Sequence, residues 1–359
     1  MRIVYVVGTR PNFVKTAPVI AALRERLPDA AHIIVHTGQH YDRLMSEVFL
    51  EELGLPAPDH MLNVGSGTHA QQTALTMERL EPILLQERPD LVIVPGDVNS
   101  TLAAALTAVK MGITVAHIEA GLRSFDLTMP EEVNRIVADR FSRHLFIHSE
   151  EGIENLRAEG IPGERMHLVG NTMIDTLIAL EGRFRSAGSA ARLGVKPGTF
   201  ALVTLHRPAL VDGPLLAETM AQLTALSREM PVVFPVHPRT RRGLEERDGE
   251  HPGLLITEPL GYIDFLSLLA DAAAVLTDSG GIQEETTYLG IPCFTLRDNT
   301  ERPITITAGT NTLLGLDPAA ISTIPMALSV RSLAKPEPPP LWDGHASGRI
   351  AAVVAAGQP

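Results

Sequence analysis

Short runs of β-branched and other apolar residues alternate with helical stretches along most of the chain. Early examples are "RIVYVVG" before "FVKTAPVIAALRERL", and "DLVIVPGD" before "TLAAALTAVKMG". Strands that are apolar throughout, without a polar face, are typical of parallel sheets covered by helices on both sides. The pattern therefore predicts an α/β fold built on parallel sheets.

The alternation is interrupted once, by the small, basic and polar stretch "GRFRSAGSAARLGVKPGTF" at 182–200, after which a second series of strands follows. A chain of 359 residues with 45% hydrophobic content is also longer than one core usually fills. We therefore predict two doubly wound domains, at 1–170 and 171–344. For the helical tail at about 345–359, packing back on the first domain and a simple cap fit the sequence equally well.

Composition excludes several classes of function. A formal net charge of −12 argues against general attraction to nucleic acid or to an acidic membrane, and four tyrosines with one tryptophan provide no aromatic platform for bases. The single cysteine, Cys293, fits a reducing compartment, and no segment has the length to span a bilayer. The histidines lack metal-ligand spacing. We expect a cytoplasmic protein without a metal site.

The stretch "LTDSGGIQEETTYLG" begins as a strand and continues as a helix. Its turn, Ser279-Gly280-Gly281, offers backbone amides and the positive end of the helix dipole, and the missing side chains would let a phosphate approach. Glu284 and Glu285 follow one turn later, where a carboxylate can accept hydrogen bonds from ribose hydroxyls. The stretch predicts a nucleoside diphosphate site, although an ordinary helix start with dipole-complementing acids fits it equally well.

Cations occur at two further places. "GTRPNFVK" carries Arg10 and Lys15 at a helix start, where they suggest an anionic ligand, and a helix capped by Thr9 with Pro11 in its first turn is the alternative. "RDNTERPITITAGTN" contains Arg302, whose planar donors suit phosphate. For this second stretch alone, a solvated loop is the stronger interpretation.

Acids and one histidine follow other strands. Asp97 and Glu119 come after buried strands, where a carboxylate is costly to desolvate unless it serves a purpose. Glu131 and Arg135 are four apart on one helical face, a spacing more typical of a helix-stabilising pair. His206 ends a strand and can exchange protons near neutral pH, although a single histidine is usually structural.

Taken in order, these motifs resemble one known family. The order and sequence of the motifs between residues 8 and 303 resemble those of the non-hydrolysing UDP-N-acetylglucosamine 2-epimerases. The motifs are "GTRPNFVK", "TGQH", "PGDVNSTLAA", "HIEAGLRS", "PEEVNR", "GNTMID", "HRP", "DSGGIQEE" and "RDNTERP". The resemblance implies a glycosyltransferase-B-like fold with two Rossmann-like domains facing across a cleft. It also implies a UDP-sugar substrate, a homodimer, and no cofactor.

The family reaction interconverts UDP-GlcNAc and UDP-ManNAc. A base removes the proton at carbon-2 while UDP leaves carbon-1, and UDP then returns to the 2-acetamidoglucal that has been reprotonated on the other face. The resemblance implies catalytic roles for Asp97, Glu119, Glu131 and His206. It implies substrate binding by Arg10, Lys15, Arg135, Phe265 (at uridine), Ser279, Gly280, Gly281, Glu285 (at ribose) and Arg302 (near the diphosphate).

Two departures from the family pattern have consequences. Ala209-Leu210 follows "HRP" where many relatives have Glu-Asn, which bears on sugar preference. "GQHYD" has Gln39 and His40 but Asp42, so we expect weak or absent activation by a second UDP-GlcNAc. The open alternatives are a 2-epimerase of another UDP-2-acetamido sugar and a catalytically silent nucleotide-sugar binding protein. A hydrolysing enzyme and a glycosyltransferase are less favoured.

Overall fold

The structure is a computed structural model that describes residues 1–38, 49–207, 210, 215–236, 253–330 and 336–357. The chain divides into two compact units. The first unit is Met1–Ala179 with Pro340–Pro359, and the second unit is Leu180–Pro339. Gln39, His40 and Asp42, with Ala209, lie outside the described residues. In the described part of the chain, we find no helix that combines the length and apolar character needed to cross a membrane.

The first unit contains a parallel sheet of seven strands in the order β3-β2-β1-β4-β5-β6-β7. The strands are β1 Arg2–Val7, β2 Ala31–His36, β3 His60–Met61, β4 Leu91–Pro95, β5 Thr114–Ile118, β6 His144–Ile147 and β7 Met166–Leu168. The helices are α1 Arg10–Arg26, α2 His69–Glu87, α3 Asn99–Lys110, α4 Pro130–Phe141, α5 Glu150–Ala158 and α6 Thr172–Ala179, with a 3-10 turn at Gly163–Arg165. The central strands are buried throughout, as their uninterrupted apolar sequences predict.

The sheet has a topological switch point between β1 and β4. On one side of this point the strands follow in the order β1, β2, β3, and on the other side in the order β4, β5, β6, β7. Open parallel sheets bind ligands beside the carboxyl ends of the strands at such a switch point. The segments that follow β1, β4 and β5 are therefore the place where this unit is expected to act. They contain Arg10, Asp97 and Glu119.

The carboxyl terminus belongs to the first unit. Its helix, α14 (Ala346–Ala356), packs against α1, and Asp175 accepts hydrogen bonds from the amides of Ala346 and Ser347 at 3.1 and 2.7 Å. The boundary also differs from residue 170, because α6 packs on α1 and the Thr176 hydroxyl donates to the carbonyl of Val14. The first unit therefore continues to Ala179 and resumes at Pro340.

The second unit contains a parallel sheet of six strands in the order β10-β9-β8-β11-β12-β13. The strands are β8 Ala201–Thr204, β9 Val232–Pro235, β10 Leu254–Thr257, β11 Ala274–Thr277, β12 Cys293–Thr295 and β13 Asn311–Leu313. The helices are α7 Glu181–Ala187, α8 Ser189–Arg192, α9 Leu215–Leu226, α10 Tyr262–Asp271, α11 Gly280–Leu289, α12 Ile304–Thr307 and α13 Ile324–Ser329, with a 3-10 turn at Pro318–Thr323. Its switch point lies between β8 and β11. The prediction of an α/β fold with two parallel sheets is confirmed.

Candidate active site

Asp97 lies in the turn that follows β4, and its carboxylate is bound by a buried arginine. The guanidinium of Arg135, on α4, donates to Asp97 and also to the carboxylate of Glu132. The Asp97 side chain keeps 25% of its surface exposed, whereas Arg135 and Glu132 are almost fully buried. The arginine therefore orients an accessible carboxylate.

Glu119 follows β5 and lies against α1. Its carboxylate accepts a hydrogen bond from the ammonium of Lys15, and both side chains are more than nine-tenths buried. Glu119 also has a φ of 70°, in the left-handed region that a non-glycine residue adopts only when its surroundings impose it. An ammonium group in contact with a carboxylate favours the ionised form of that carboxylate. In this structure Lys15 thus serves an acid of its own unit.

Two other expected residues of the first unit are more accessible. Arg10 begins α1 and is half-buried, with its guanidinium carbon 6.0 Å from the centre of the Phe49 ring. Glu131 lies in the first turn of α4 and is half-buried. Sequence spacing suggested that Glu131 faces Arg135. The carboxylate that the structure shows bound to Arg135 on the same helix belongs to Glu132, three residues before it.

A small cavity of about 10 Å³ borders the Lys15–Glu119 pair. It is lined also by His148 and by Asn171, which belongs to the "GNTMID" stretch. The side-chain oxygen of Asn171 accepts a hydrogen bond from the backbone amide of Met173. Its side-chain nitrogen, Nδ2, is buried without a partner among the described residues. The motif thus lies beside the candidate acid.

In the second unit, His206 and Asp278 form a pair across the switch point. The carboxylate of Asp278, after β11, lies 2.7 Å from Nδ1 of His206 and also accepts the backbone amides of His206 and Arg207. Asp278 is buried and His206 is 58% exposed. Burial alone would raise the pKa of Asp278, but these donors hold it below its ordinary value. A carboxylate on Nδ1 fixes the imidazole so that Nε2 is available to a ligand.

The turn before α11 differs from its sequence interpretation in what occupies the space beside Gly280, which is the side chain of Arg302. Ser279 precedes the helix, and its amide donates to the hydroxyl of Thr277. A Cβ on Gly280 would lie 2.3 Å from Nη1 of Arg302. The absence of a side chain at Gly280 therefore makes room for Arg302. Gly281 lies in the same first turn, where backbone amides at a helix start suit an anion.

Arg302 is buried in an ion network, so the interpretation of its stretch as a solvated loop was wrong. Its guanidinium donates to Glu284 at 2.9 Å and to Glu301 at 3.2 Å. Glu301 in turn accepts two hydrogen bonds from Arg297. The cations of this segment are held by carboxylates that lie outside solvent, because buried charges are stable only when they are paired. The network places the arginine against the first turn of α11.

Glu285 is 1% exposed and accepts a hydrogen bond from the hydroxyl of Tyr262 at 2.8 Å. Burial, together with the neighbouring charge of Glu284, raises the pKa of Glu285 to about 7. Its other oxygen is buried without a partner among the described residues. Phe265 lies half-buried on the same helix as Tyr262, α10, which contacts α11. One acceptor of Glu285 is thus available for a further donor.

Comparison with known proteins decides the family. The family model described as UDP-N-acetylglucosamine 2-epimerase matches residues 22–355. The chain belongs to this family. A UDP-N-acetylglucosamine 2-epimerase of Methanococcus maripaludis is 42% identical to it over 88% of each chain. A UDP-2,3-diacetamido-2,3-dideoxy-D-glucuronate 2-epimerase of Pseudomonas aeruginosa is 43% identical, also over 88% of each chain.

Solved structures of the epimerase family agree. The crystal structure of Methanocaldococcus jannaschii UDP-GlcNAc 2-epimerase in complex with UDP-GlcNAc and UDP matches with a TM-score of 0.88 and 38% identity. That match covers 99% of this chain and 100% of the other. The resemblance stated from the sequence motifs and the glycosyltransferase-B-like fold with two Rossmann-like units are therefore confirmed.

Several residues of this epimerase-family chain were not singled out from the sequence, although the structure connects them to the expected ones. They are Glu132 at Arg135, Asp278 at His206, Glu301 at Arg302, and Tyr262 at Glu285. Asp278 had a usable signal, because it ends an apolar strand in the same way as the acids of the first unit. The other three lie on helices or loops, where a polar residue carries no such signal.

Proposed function

We propose that the protein interconverts UDP-GlcNAc and UDP-ManNAc by elimination and re-addition of UDP through 2-acetamidoglucal. Membership of the epimerase family over nearly the whole chain is the observation that carries this proposal. The reaction removes a weakly acidic proton and expels a diphosphate. It therefore needs a positioned base, a proton donor on the opposite face of the sugar, and stabilisation of the departing charge. The route requires neither a metal nor a nicotinamide.

The first unit supplies the acids in this proposal. Glu119 accepts a hydrogen bond from the ammonium of Lys15 and is nearly desolvated, as suits a proton acceptor of fixed position. Asp97 is oriented by Arg135 and stays accessible. Glu131, in the first turn of α4, completes the set. Two acids with separate cation partners can act on the two faces of carbon-2, which is what an inversion requires. Arg10 is assigned to substrate binding with them.

The second unit holds UDP in this proposal. Nε2 of His206, fixed by Asp278, donates to the diphosphate, and the amides of Gly280 and Gly281 face it from the start of α11. Ser279 begins this turn, with its amide bound to the hydroxyl of Thr277. Arg302 places its guanidinium next to Gly280. The available oxygen of Glu285 accepts a ribose hydroxyl, and Phe265 packs against uracil. Charge held in this way stabilises the leaving group while it is detached.

Proton NMR of the purified protein with UDP-GlcNAc in deuterated water tests the reaction. We expect deuterium at carbon-2 together with the appearance of UDP-ManNAc. Free ManNAc with UDP would instead reveal a hydrolysing enzyme. Bound UDP-GlcNAc without exchange or a new sugar would remove it as the substrate and leave another UDP-sugar or a silent binding protein.

A second substrate has support from one observation. The diacetamido-glucuronate 2-epimerase is as similar to this chain as the relative that is named for UDP-GlcNAc. Both named substrates are UDP-2-acetamido sugars that react at carbon-2, so residues assigned to UDP and to carbon-2 do not distinguish the sugars. Measurement of kcat/KM for both UDP-sugars separates them, and we expect UDP-GlcNAc to be the better substrate. A higher value for the diacetamido uronate would reverse the assignment.

The proposal includes a homodimer in the cytoplasm. The family resemblance supports the dimer, and the single, buried Cys293 suits a reducing compartment. Light scattering after size exclusion should give twice the 38.7 kDa of one chain. A mass of one chain at micromolar concentration would contradict the dimer.

A further inference from the structure

The turn from Pro95 to Asp97 is held through its backbone carbonyls. The carbonyl of Pro95 accepts hydrogen bonds from Asn12 and Thr101, and the carbonyl of Asp97 accepts one from Asn134. Between them, the carbonyl of Gly96 accepts one from Nε2 of His117 at 2.7 Å. Each of the three successive carbonyls therefore accepts a hydrogen bond from a side chain. Because the backbone of the turn is held at three points, the direction of the Asp97 side chain is fixed.

His117 lies in β5 and is 0% exposed. Its other ring nitrogen, Nδ1, lies 2.7 Å from Oδ1 of Asp139, a carboxylate that is also completely buried. Asp139 receives two more donors at Oδ2, from the amide of Gly121 and the guanidinium of Arg123. A carboxylate surrounded by donors is in its ionised form, since a protonated oxygen would have to donate.

Both neighbours of the imidazole are therefore acceptors. The carbonyl of Gly96 has no proton to give, and the carboxylate of Asp139 is held ionised by Arg123. A neutral imidazole would direct one bare nitrogen at one of these oxygens, and leaving a buried hydrogen bond unmade is costly. Only the doubly protonated ring satisfies both contacts.

We propose that His117 is a buried imidazolium that positions two candidate acids of the first unit, Asp97 and Glu119. It connects the turn carrying Asp97 to Asp139, and Asp139 connects it to the segment just after Glu119 through Gly121. His117 touches neither reacting atoms nor solvent, so it is a positioning residue. Its protonation is independent of the proposed function, whereas its kinetic consequence rests on that function.

The protonation is tested on the wild-type protein by nitrogen-15 NMR of histidine-labelled protein at pH 7.5. We expect one histidine whose two ring nitrogens both show the imidazolium shift and both couple to slowly exchanging protons. H117Q should remove these signals, which assigns them. An unprotonated nitrogen in the His117 ring would overturn the proposal.

The kinetic consequence is tested with H117Q and a matched control, H144Q. His144 lies in the neighbouring strand β6, where it pairs with Ala116 in the sheet register. In H117Q we expect kcat to fall by about tenfold to a hundredfold with KM for UDP-GlcNAc within about twofold, since misplacement of reacting groups affects chemistry more than UDP binding. H144Q should keep both constants.

An unchanged kcat in folded H117Q would refute the positioning role. If H117Q does not fold, sequential backbone assignment of the wild-type protein identifies the ring of His117, and its nitrogen signals then decide the proposal. If the wild-type protein shows no epimerisation, the proposed function fails while the NMR result still stands. The two failures are thus distinguishable.

Discussion

The two units have equivalent strand orders but different chemistry at their switch points. In the first unit, the acid after the inner strand β4, Asp97, is bound by an arginine and stays accessible. In the second unit, the acid after the equivalent strand β11, Asp278, is buried and leaves His206 as the exposed group. Topology thus selects the position of a site, and the partner of each acid decides whether the unit presents a carboxylate or an imidazole.

The difference follows from what each unit has to do in the proposed reaction. Carboxylates exchange protons with carbon, so the first unit holds them in place through the cations of Lys15 and Arg135. A departing diphosphate needs donors, so the second unit directs its carboxylates at its own histidine and arginines. Substitutions at these residues should therefore affect either the chemistry at carbon-2 or the binding of UDP.

The largest effect is expected from E119Q. The amide keeps the shape of Glu119 but cannot accept a proton, so carbon-2 exchange should fall by about 10²- to 10⁴-fold. UDP affinity, measured by titration calorimetry, should stay within about twofold. The control is E154Q, which changes an exposed residue of α5 in the same unit. Retention of more than a tenth of the wild-type exchange rate in E119Q would contradict an essential role.

H206N and D278N should both lower kcat/KM by roughly 10²-fold, since they remove or misdirect the same imidazole. Their stabilities should differ. D278N also weakens the acceptors of two backbone amides, at a cost of roughly 1–3 kcal/mol. H206N keeps both amide contacts of Asp278 and removes only the imidazole, so its melting temperature should fall less than that of D278N. Equal melting temperatures of the two variants would show that Asp278 is not needed to hold the turn.

G280A should weaken UDP binding by about tenfold. The added Cβ forces Arg302 to move, and overpacking of this kind costs roughly 1–3 kcal/mol. The matched control is G182A in α7, where a Cβ meets no atom within 4 Å and an alanine favours the helix. Carbon-2 exchange at saturating substrate should change less than affinity. An unaltered Kd in G280A would place Arg302 away from the diphosphate.

The smallest effect is a pH dependence of stability carried by Glu285. Its folded pKa of about 7 lies above the unfolded value of 4.5, so the folded state binds the proton more tightly. The stability that this proton provides is present below pH 4.5 and is lost as the pH rises to about 7, by an amount on the order of 3 kcal/mol. E285Q removes the titrating group.

Thermal melts of the wild type and E285Q at pH 5 and pH 8 check this expectation. Measured relative to the wild type, the melting temperature of E285Q should be several degrees higher at pH 8 than at pH 5. Y262F is a useful comparison, because it removes the hydroxyl that donates to the same carboxylate and should destabilise the protein more at pH 8. A pH-independent difference for E285Q would mean that Glu285 does not titrate in this range.

The fold and the positions of the candidate residues were largely predictable, whereas their partners were not. Continuous apolar strands between helices predict the parallel sheets, and a polar residue just after such a strand lies at the ligand-binding edge. Arg302 shows the limit of this reasoning. Its polar stretch is typical of a solvated loop, yet the side chain is buried, because Glu284 and Glu301 neutralise it. Glu301 is its neighbour in the chain, but the contact with Glu284, 18 residues earlier, is not readable from the local sequence.

The sequence by itself determined the fold class, the strands that end in candidate site residues, and the family. The tertiary structure decided that Lys15 pairs with Glu119, 104 residues away, and that His206 pairs with Asp278, 72 residues away. The reason is the crossover connection of parallel sheets, which brings strand ends together that are far apart in the chain. Periodicity is a local property of the chain, whereas the partner of a buried charge is set by the neighbouring strand.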